Sequence, residues 1–288
     1  MTLRGTYSAD AIHDVWESIY RGNAAQDALN EAIASRIFRY LNLPTGCLVL
    51  DAGCGTGDHS RRIAERGHYC VCTDISESIL LRARKNLAAH GLESRASFVC
   101  QALEDLSFPD ATFDAVHCRG VLMHIPQWKR ALANLCRVLR PGGGIVVMEN
   151  NHRSVEAATI LLVRKFQARK SKLAKTEDGY EFWSEESGQP FVVRIARVRA
   201  LEKEFEANGI SPLKRFATGF WDVGRFPAGV PRRAAMHCNR LYFALGLPPT
   251  FSAGNAIIGR KVRGDDASQP GRAGCLGGSR RNSGPLTS

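Results

Sequence analysis

Val49-Leu50-Asp51-Ala52-Gly53-Cys54-Gly55-Thr56-Gly57 runs from an apolar strand straight into a glycine-rich turn, and the residues after it are patterned as a helix. Glycines at such a turn let the backbone bend sharply and approach a ligand without a side chain in the way. The start of the helix adds unpaired N–H groups and a partial positive charge, so a nucleotide-like ligand is expected there. The spacing narrows the choice. A dinucleotide fingerprint needs G-x-G-x-x-G. Counted from Gly53 and Gly55 its third glycine falls on Asp58, and counted from Gly55 and Gly57 it falls on Ser60.

Outward from this turn, short apolar runs alternate with helical stretches, the rhythm of strand-helix-strand units in a parallel sheet. The pattern predicts strands over Cys47 to Asp51, Tyr69 to Asp74, Ser97 to Ala102, Phe113 to Arg119 and Gly143 to Glu149. Helices are predicted over His59 to Arg66, Ser76 to His90 and Gln127 to Leu139, stopped by Gly67, Gly91 and Pro141-Gly142-Gly143. Two further strands, Leu213 to Phe220 and Asn255 to Val262, flank a helix from Arg232 to Leu245. The second strand ends at Asp74, where a carboxylate projects over the sheet's switch point and can accept both hydroxyls of a ribose. Capping the helix after Ser76 is its alternative role.

The D-x-G-x-G-x-G of Asp51 to Gly57 resembles motif I of the class I S-adenosylmethionine-dependent methyltransferases. Leu103 to Asp110, Phe113 to Val116, Val121 to Ile125 and Arg137 to Gly143 continue the likeness in order, and they resemble the ubiquinone and menaquinone biosynthesis branch of that superfamily. The resemblance covers about a hundred residues. It implies an α/β fold, a seven-stranded Rossmann-like sheet with helices on both faces whose last strand is antiparallel, and S-adenosyl-L-methionine as cofactor. Carried over position by position, it implies that Asp51, Gly53, Cys54, Gly55 and Gly57 hold the methionine end, Asp74 and Ile75 the ribose, and Ala102 and Leu103 the adenine. Arg119 would face the methionine end, with a surface ion pair as its alternative, and Tyr20 would belong to an aromatic lid. Ala102 departs from the family, which often has an Asp there for the adenine amino group; Glu104 or a backbone carbonyl would have to stand in.

The resemblance implies methyl transfer to a small-molecule acceptor, and O-methylation is the expected form. His124, in the loop after the fourth strand, is read either as the general base for a phenol or alcohol or as loop packing. Two other readings stay open: a lipid or lipid-linked glycan acceptor at a membrane surface, and a cofactor-binding partner without catalysis.

The chain of 288 residues, 44% of them hydrophobic, is long enough to bury a full core. Residues 1–45 read as an N-terminal helical lid with apolar stripes through Trp16 and Ile33, 46–262 as the catalytic domain, and 263–288 as a disordered tail poor in apolar residues. Residues 153–211 break the rhythm and read as an inserted helical cap, with helices over Ser154 to Lys175 and Phe191 to Asn208 around the segment Tyr180-Glu181-Phe182-Trp183. This segment, among many Arg and Lys, suits an aromatic or anionic acceptor. The net charge of +11 admits an anionic partner, but no nucleic-acid-binding motif is visible. Nine cysteines without a CxxC pair, mostly within apolar runs, argue against disulfides and against a metal site. With no secretory pattern at Met1 to Asp10, a cytoplasmic protein is expected.

Overall fold

The computed structural model describes residues 23–166, 172–186 and 189–263, together with His13, Asp14, Glu17 and Ile19. Trp16, Tyr20 and the tail from 264 onward lie outside the described residues. Helix α1, Ala24–Leu41, starts at Asn23, whose side chain accepts from the N–H groups of Ala25 and Gln26. It ends at Asn42 in the left-handed conformation. Leu29, Ile33, Ile37 and Leu41 recur at helical spacing, and all four are buried.

Strand β1, Leu48–Ala52, pairs in parallel with β2, Tyr69–Asp74, on one side and with β4, Phe113–Arg119, on the other. Beyond them lie β3, Ala96–Cys100, and β5, Leu139–Asn150. Strand β10, Gly254–Lys261, runs antiparallel to both β5 and β9, Ile210–Gly219. The sheet order is β3-β2-β1-β4-β5-β10-β9, the seven-stranded arrangement implied by the resemblance. Helices α2, Asp58–Glu65, α3, Glu77–Ala89, α4, Trp128–Val138, and α7, Val230–Ala244, complete the framework.

The core lies on both faces of the sheet. Leu50, Val116, Ile145 and Val147 point to the face covered by Leu132 and Leu135 of α4. Val49, Ala115, Val146 and Met148 point to the other face, where α1 packs. A strand buried on both faces reads as an unbroken apolar run, which is how Cys47 to Leu50 was recognisable.

The cap differs from the helical expectation. Helices α5, Val155–Phe166, and α6, Val198–Ala207, fall within the two stretches expected to be helical, but between them lies an antiparallel sheet of β6, Lys172–Thr176, β7, Gly179–Glu186, and β8, Gln189–Ala196. Phe191, Val192, Val193 and Ile195 are aromatic or β-branched, and they favour a pleated strand over a helix. Glu177 and Asp178 form a two-residue hairpin turn before Gly179, whose φ is +135°. A Cβ at Gly179 would stand 2.1 Å from the carbonyl oxygen of Ile195, so glycine is required there. Tyr180 and Phe182 of β7 pack with Ala157 and Ile160 of α5 and with Ile195. Helix α6, Val198–Ala207, follows β8 and buries Val198, Leu201 and Phe205 in the same core as α4.

Candidate cofactor site

The glycine turn joins β1 to α2, and its three glycines, Gly53, Gly55 and Gly57, have φ of +70°, +54° and +78°. Gly53 is fixed by packing, because a Cβ there would lie 2.3 Å from Val121. A Cβ on Gly57 would meet Leu87 and Ala83 at 2.9 and 3.1 Å. Gly55 has nothing within 4 Å of its would-be Cβ. One glycine therefore borders open space while two are wedged against protein. Cys54, buried, ties the turn to β2 through its N–H, which donates to the Thr73 carbonyl at 2.9 Å.

Asp74 closes the turn from the end of β2. Its Oδ2 accepts from the Gly55 N–H at 3.0 Å and its Oδ1 from the Ser76 N–H at 3.1 Å. Burial raises its pKa, opposed by the N–H groups of Ser76, Gly55 and Ile75 and by His13. A carboxylate has about four lone-pair positions, so with three taken by the backbone one acceptor position remains. The capping alternative falls to Ser76 itself, whose hydroxyl accepts from the Ile79 N–H.

Asp51, at the end of β1, is buried, and both oxygens are engaged: Oδ2 accepts from Ser60 Oγ at 2.5 Å and Oδ1 lies 2.8 Å from His117 Nδ1. The parallel register sets Asp51 directly opposite His117 on β4. The His59 ring stacks on His117 with centroids 5.0 Å apart. Arg119 donates to His59 Nε2 and, at 3.0 Å, to Asn30 Oδ1 of α1. Burial, then the charge of Arg119, pushes the His59 pKa well below its ordinary value, so Nε2 keeps the lone pair that Arg119 uses. Arg119 is thus tied inward to α1 and α2.

At the third strand, Ala102 and Leu103 are both buried, Leu103 in the core against α4. The neighbouring Gln101 accepts from Ser107 through Oε1 and leaves its buried Nε2 without a partner. Glu104 is partly exposed, and its carbonyl accepts from Asn134. Ile75 adjoins Asp74, its carbonyl taken by the Cys100 thiol at 3.5 Å.

Residues 49–143 match the family described as a methyltransferase domain. The ubiquinone/menaquinone biosynthesis C-methyltransferase of Vibrio cholerae is 31% identical over 152 residues, 49% of this chain and 58% of that protein. The demethylmenaquinone methyltransferase of Clavibacter sepedonicus is 30% identical over 198 residues, 65% of this chain and 78% of that one. The chain belongs to the class I S-adenosylmethionine-dependent methyltransferases. The match spans less than two thirds of the Vibrio protein's length, whereas the fold extends over nearly the whole chain. The (4+2)-cyclase SpnF, 19% identical, superposes with a TM-score of 0.62 over 92% of this chain and 98% of its own.

The methyltransferase joins its cap to the sheet through residues that sequence reasoning did not single out. Arg194 of β8, 3% exposed, donates to the carbonyls of Leu122, Ile125 and Pro126 and pairs with Glu181 at 2.9 Å. Glu149 of β5 is buried beside it, with Oε1 accepting from the Leu122 N–H at 3.0 Å and Oε2 without a partner among the described residues. Burial pushes its pKa up to about 8. His124 lies in this same loop, Nδ1 3.0 Å from the carbonyl oxygen of Val192 and its ring against Phe191. Burial brings its pKa down to about 4, so it is neutral at physiological pH. Arg194 and Glu149 each put a charge inside an otherwise apolar strand, where a charge is seldom buried unpaired, but that alone names no partner for either. Among the described residues, no group of three metal-ligating side chains and no helix long and apolar enough to cross a membrane is present.

Proposed function

We propose that this methyltransferase moves a methyl group from S-adenosylmethionine to a small-molecule acceptor held between the open end of the glycine turn and the cap. The observation that carries the reading is the pairing of Gly55 with Asp74. A positive-φ glycine faces open space, and a carboxylate bonded to its N–H keeps an acceptor position for a ribose hydroxyl. Asp51, Gly53, Cys54 and Gly57 shape the turn around the methionine end, and Arg119 stands beside it. Asp51 acts there by positioning Ser60 and His117. Ile75 flanks the ribose, and Ala102 and Leu103 form the apolar wall for adenine. Gln101 Nε2 can donate to a ring nitrogen of adenine, while the acceptor for the adenine amino group falls to Glu104 or a backbone carbonyl.

When bound, S-adenosylmethionine would supply an already activated methyl group, and the protein's part would be to hold a nucleophile ~3 to 3.5 Å from it and to exclude water. A phenol or alcohol acceptor benefits from a base, but His124, with a pKa of about 4 and bonded to Val192, is a weak one. This supports an acceptor that brings its own nucleophilic atom, such as the ring carbon of an electron-rich quinol, over the O-methylation expected from sequence. Of the two relatives above, one is named as a C-methyltransferase of quinone biosynthesis and the other as a demethylmenaquinone methyltransferase. Calorimetry with S-adenosylmethionine tests the site: Asp74→Ala should weaken binding by about 1.5 to 3 kcal/mol. Equal affinity for both proteins would sink the reading. Incubation with a demethylated quinol and methyl-labelled cofactor, followed by NMR of the product, assigns the methylated atom.

A further inference from the structure

A second cavity, of about 400 Å³, opens at the base of the cap. Strand ends bring its walls together. The Asn150 side chain accepts from the Ala196 N–H at 2.8 Å, and the His152 N–H donates to the Ala196 carbonyl at 2.9 Å. These two bonds pin the exit of β5 to the exit of β8. His152 and Arg153 after β5 therefore face Arg197 and Arg199 after β8, and Arg215 of β9 completes the wall. No Asp or Glu lines the cavity. Among the described residues, Arg215 alone of the four arginines has an ion pair, to Glu202 at 3.5 Å. Its Nε and the Nδ1 of His152 are buried without a partner.

Four like charges around one concavity repel, and among the described residues only the Arg215–Glu202 pair offsets any of them. Helix α6 begins at the same place, with Val198 on the cavity wall. Helix starts ordinarily carry an acidic residue or a capping side chain, because the dipole is positive there. This one has neither, and Arg197 and Arg199 occupy those positions instead. Each of these features becomes favourable only when an anion is present. Guanidinium groups bind phosphate oxygens two at a time. The volume lies within the range of small-molecule sites, about 300 to 1,000 Å³, and exceeds what one phosphate fills. A nucleic-acid backbone would need an extended basic stripe rather than a pocket.

We propose that this cavity binds a phosphorylated small molecule through a diphosphate or a comparable cluster of phosphate oxygens. No residue of the glycine turn lines it, so the proposal stands apart from the methyl-transfer reading.

Calorimetric titration of the full chain with inorganic diphosphate at low ionic strength tests this. The wild type should bind with one-to-one stoichiometry. The exposed pair Arg153→Gln/Arg199→Gln should weaken binding at least about tenfold and leave S-adenosylmethionine affinity unchanged. Arg233→Gln/Arg240→Gln removes the same charge from α7 and should leave diphosphate binding as it is. The proposal is overturned by absence of binding to the wild type, by equal losses in both double variants, or by binding to phosphatidylglycerol vesicles without binding to diphosphate. Failure to bind S-adenosylmethionine would count against the methyl-transfer reading alone.

Discussion

The two halves of the sheet's open edge are built on different principles. On the β1–β2 side the site is mostly backbone: three positive-φ glycines, a helix start and Asp74, which lies 19 residues from Gly55 in the chain. On the β4–β5 side the parts are held by side chains reaching across long stretches of sequence. Arg194 bonds carbonyls 68 to 72 residues away, and Asn150 reaches Ala196 across 46. On the proposed function the first construction would hold the cofactor and the second the acceptor, and a cap tied by a few side chains can change without disturbing the turn.

Removing the tie is the most direct way to break this contrast. Arg194→Met leaves the partly buried Glu181 without its cation and three carbonyls without their donor, and should lower stability by about 2 to 4 kcal/mol in denaturant unfolding. Its S-adenosylmethionine affinity should stay within about tenfold of wild type. If cofactor binding collapses with the cap, the two sides are one unit and the contrast fails.

Glu149 gives a smaller effect with a definite sign. Its folded pKa of about 8 lies above the ordinary 4.5, so the folded state holds the proton more tightly and stability falls as pH rises between those values. Glu149→Gln keeps the acceptor for the Leu122 N–H and cannot ionise. It should therefore be more stable than wild type at pH 8, by about 1 to 3 kcal/mol, and match it near pH 4. A constant difference across that window would show that Glu149 does not titrate there.

The smallest effect expected is at His124. His124→Phe removes one bond to the cap, worth about 0.5 to 1.5 kcal/mol. Steady-state kinetics should show a raised KM for the acceptor with kcat nearly unchanged. A fall in kcat of about a hundredfold or more would restore His124 as the base.

What was legible in the sequence follows the same division. The turn, β2 and β4 are local patterns: an apolar run, glycines at fixed spacing, a terminal Asp. All seven strands of the main sheet fall where the apolar runs predicted, with ends displaced by a few residues. In the cap the two helices were legible in part and the sheet between them was not, because basic residues at irregular spacing imitate a helix face and the hairpin signal at Asp178-Gly179 passed unnoticed between them. Arg194 and Glu149 were invisible for another reason. Each is explained only by a partner distant in sequence, and no local periodicity reports such a meeting. His59 and Asn30 join Arg119 to the helices in the same way.

Arg194 takes hold of main-chain oxygens, at Leu122, Ile125 and Pro126, and so asks little of the side chains around them. A backbone carbonyl survives almost any substitution. The loop can therefore exchange a residue such as Met123 and keep its cap attached. That gives the loop latitude to change its side chains one at a time without first losing the architecture around it.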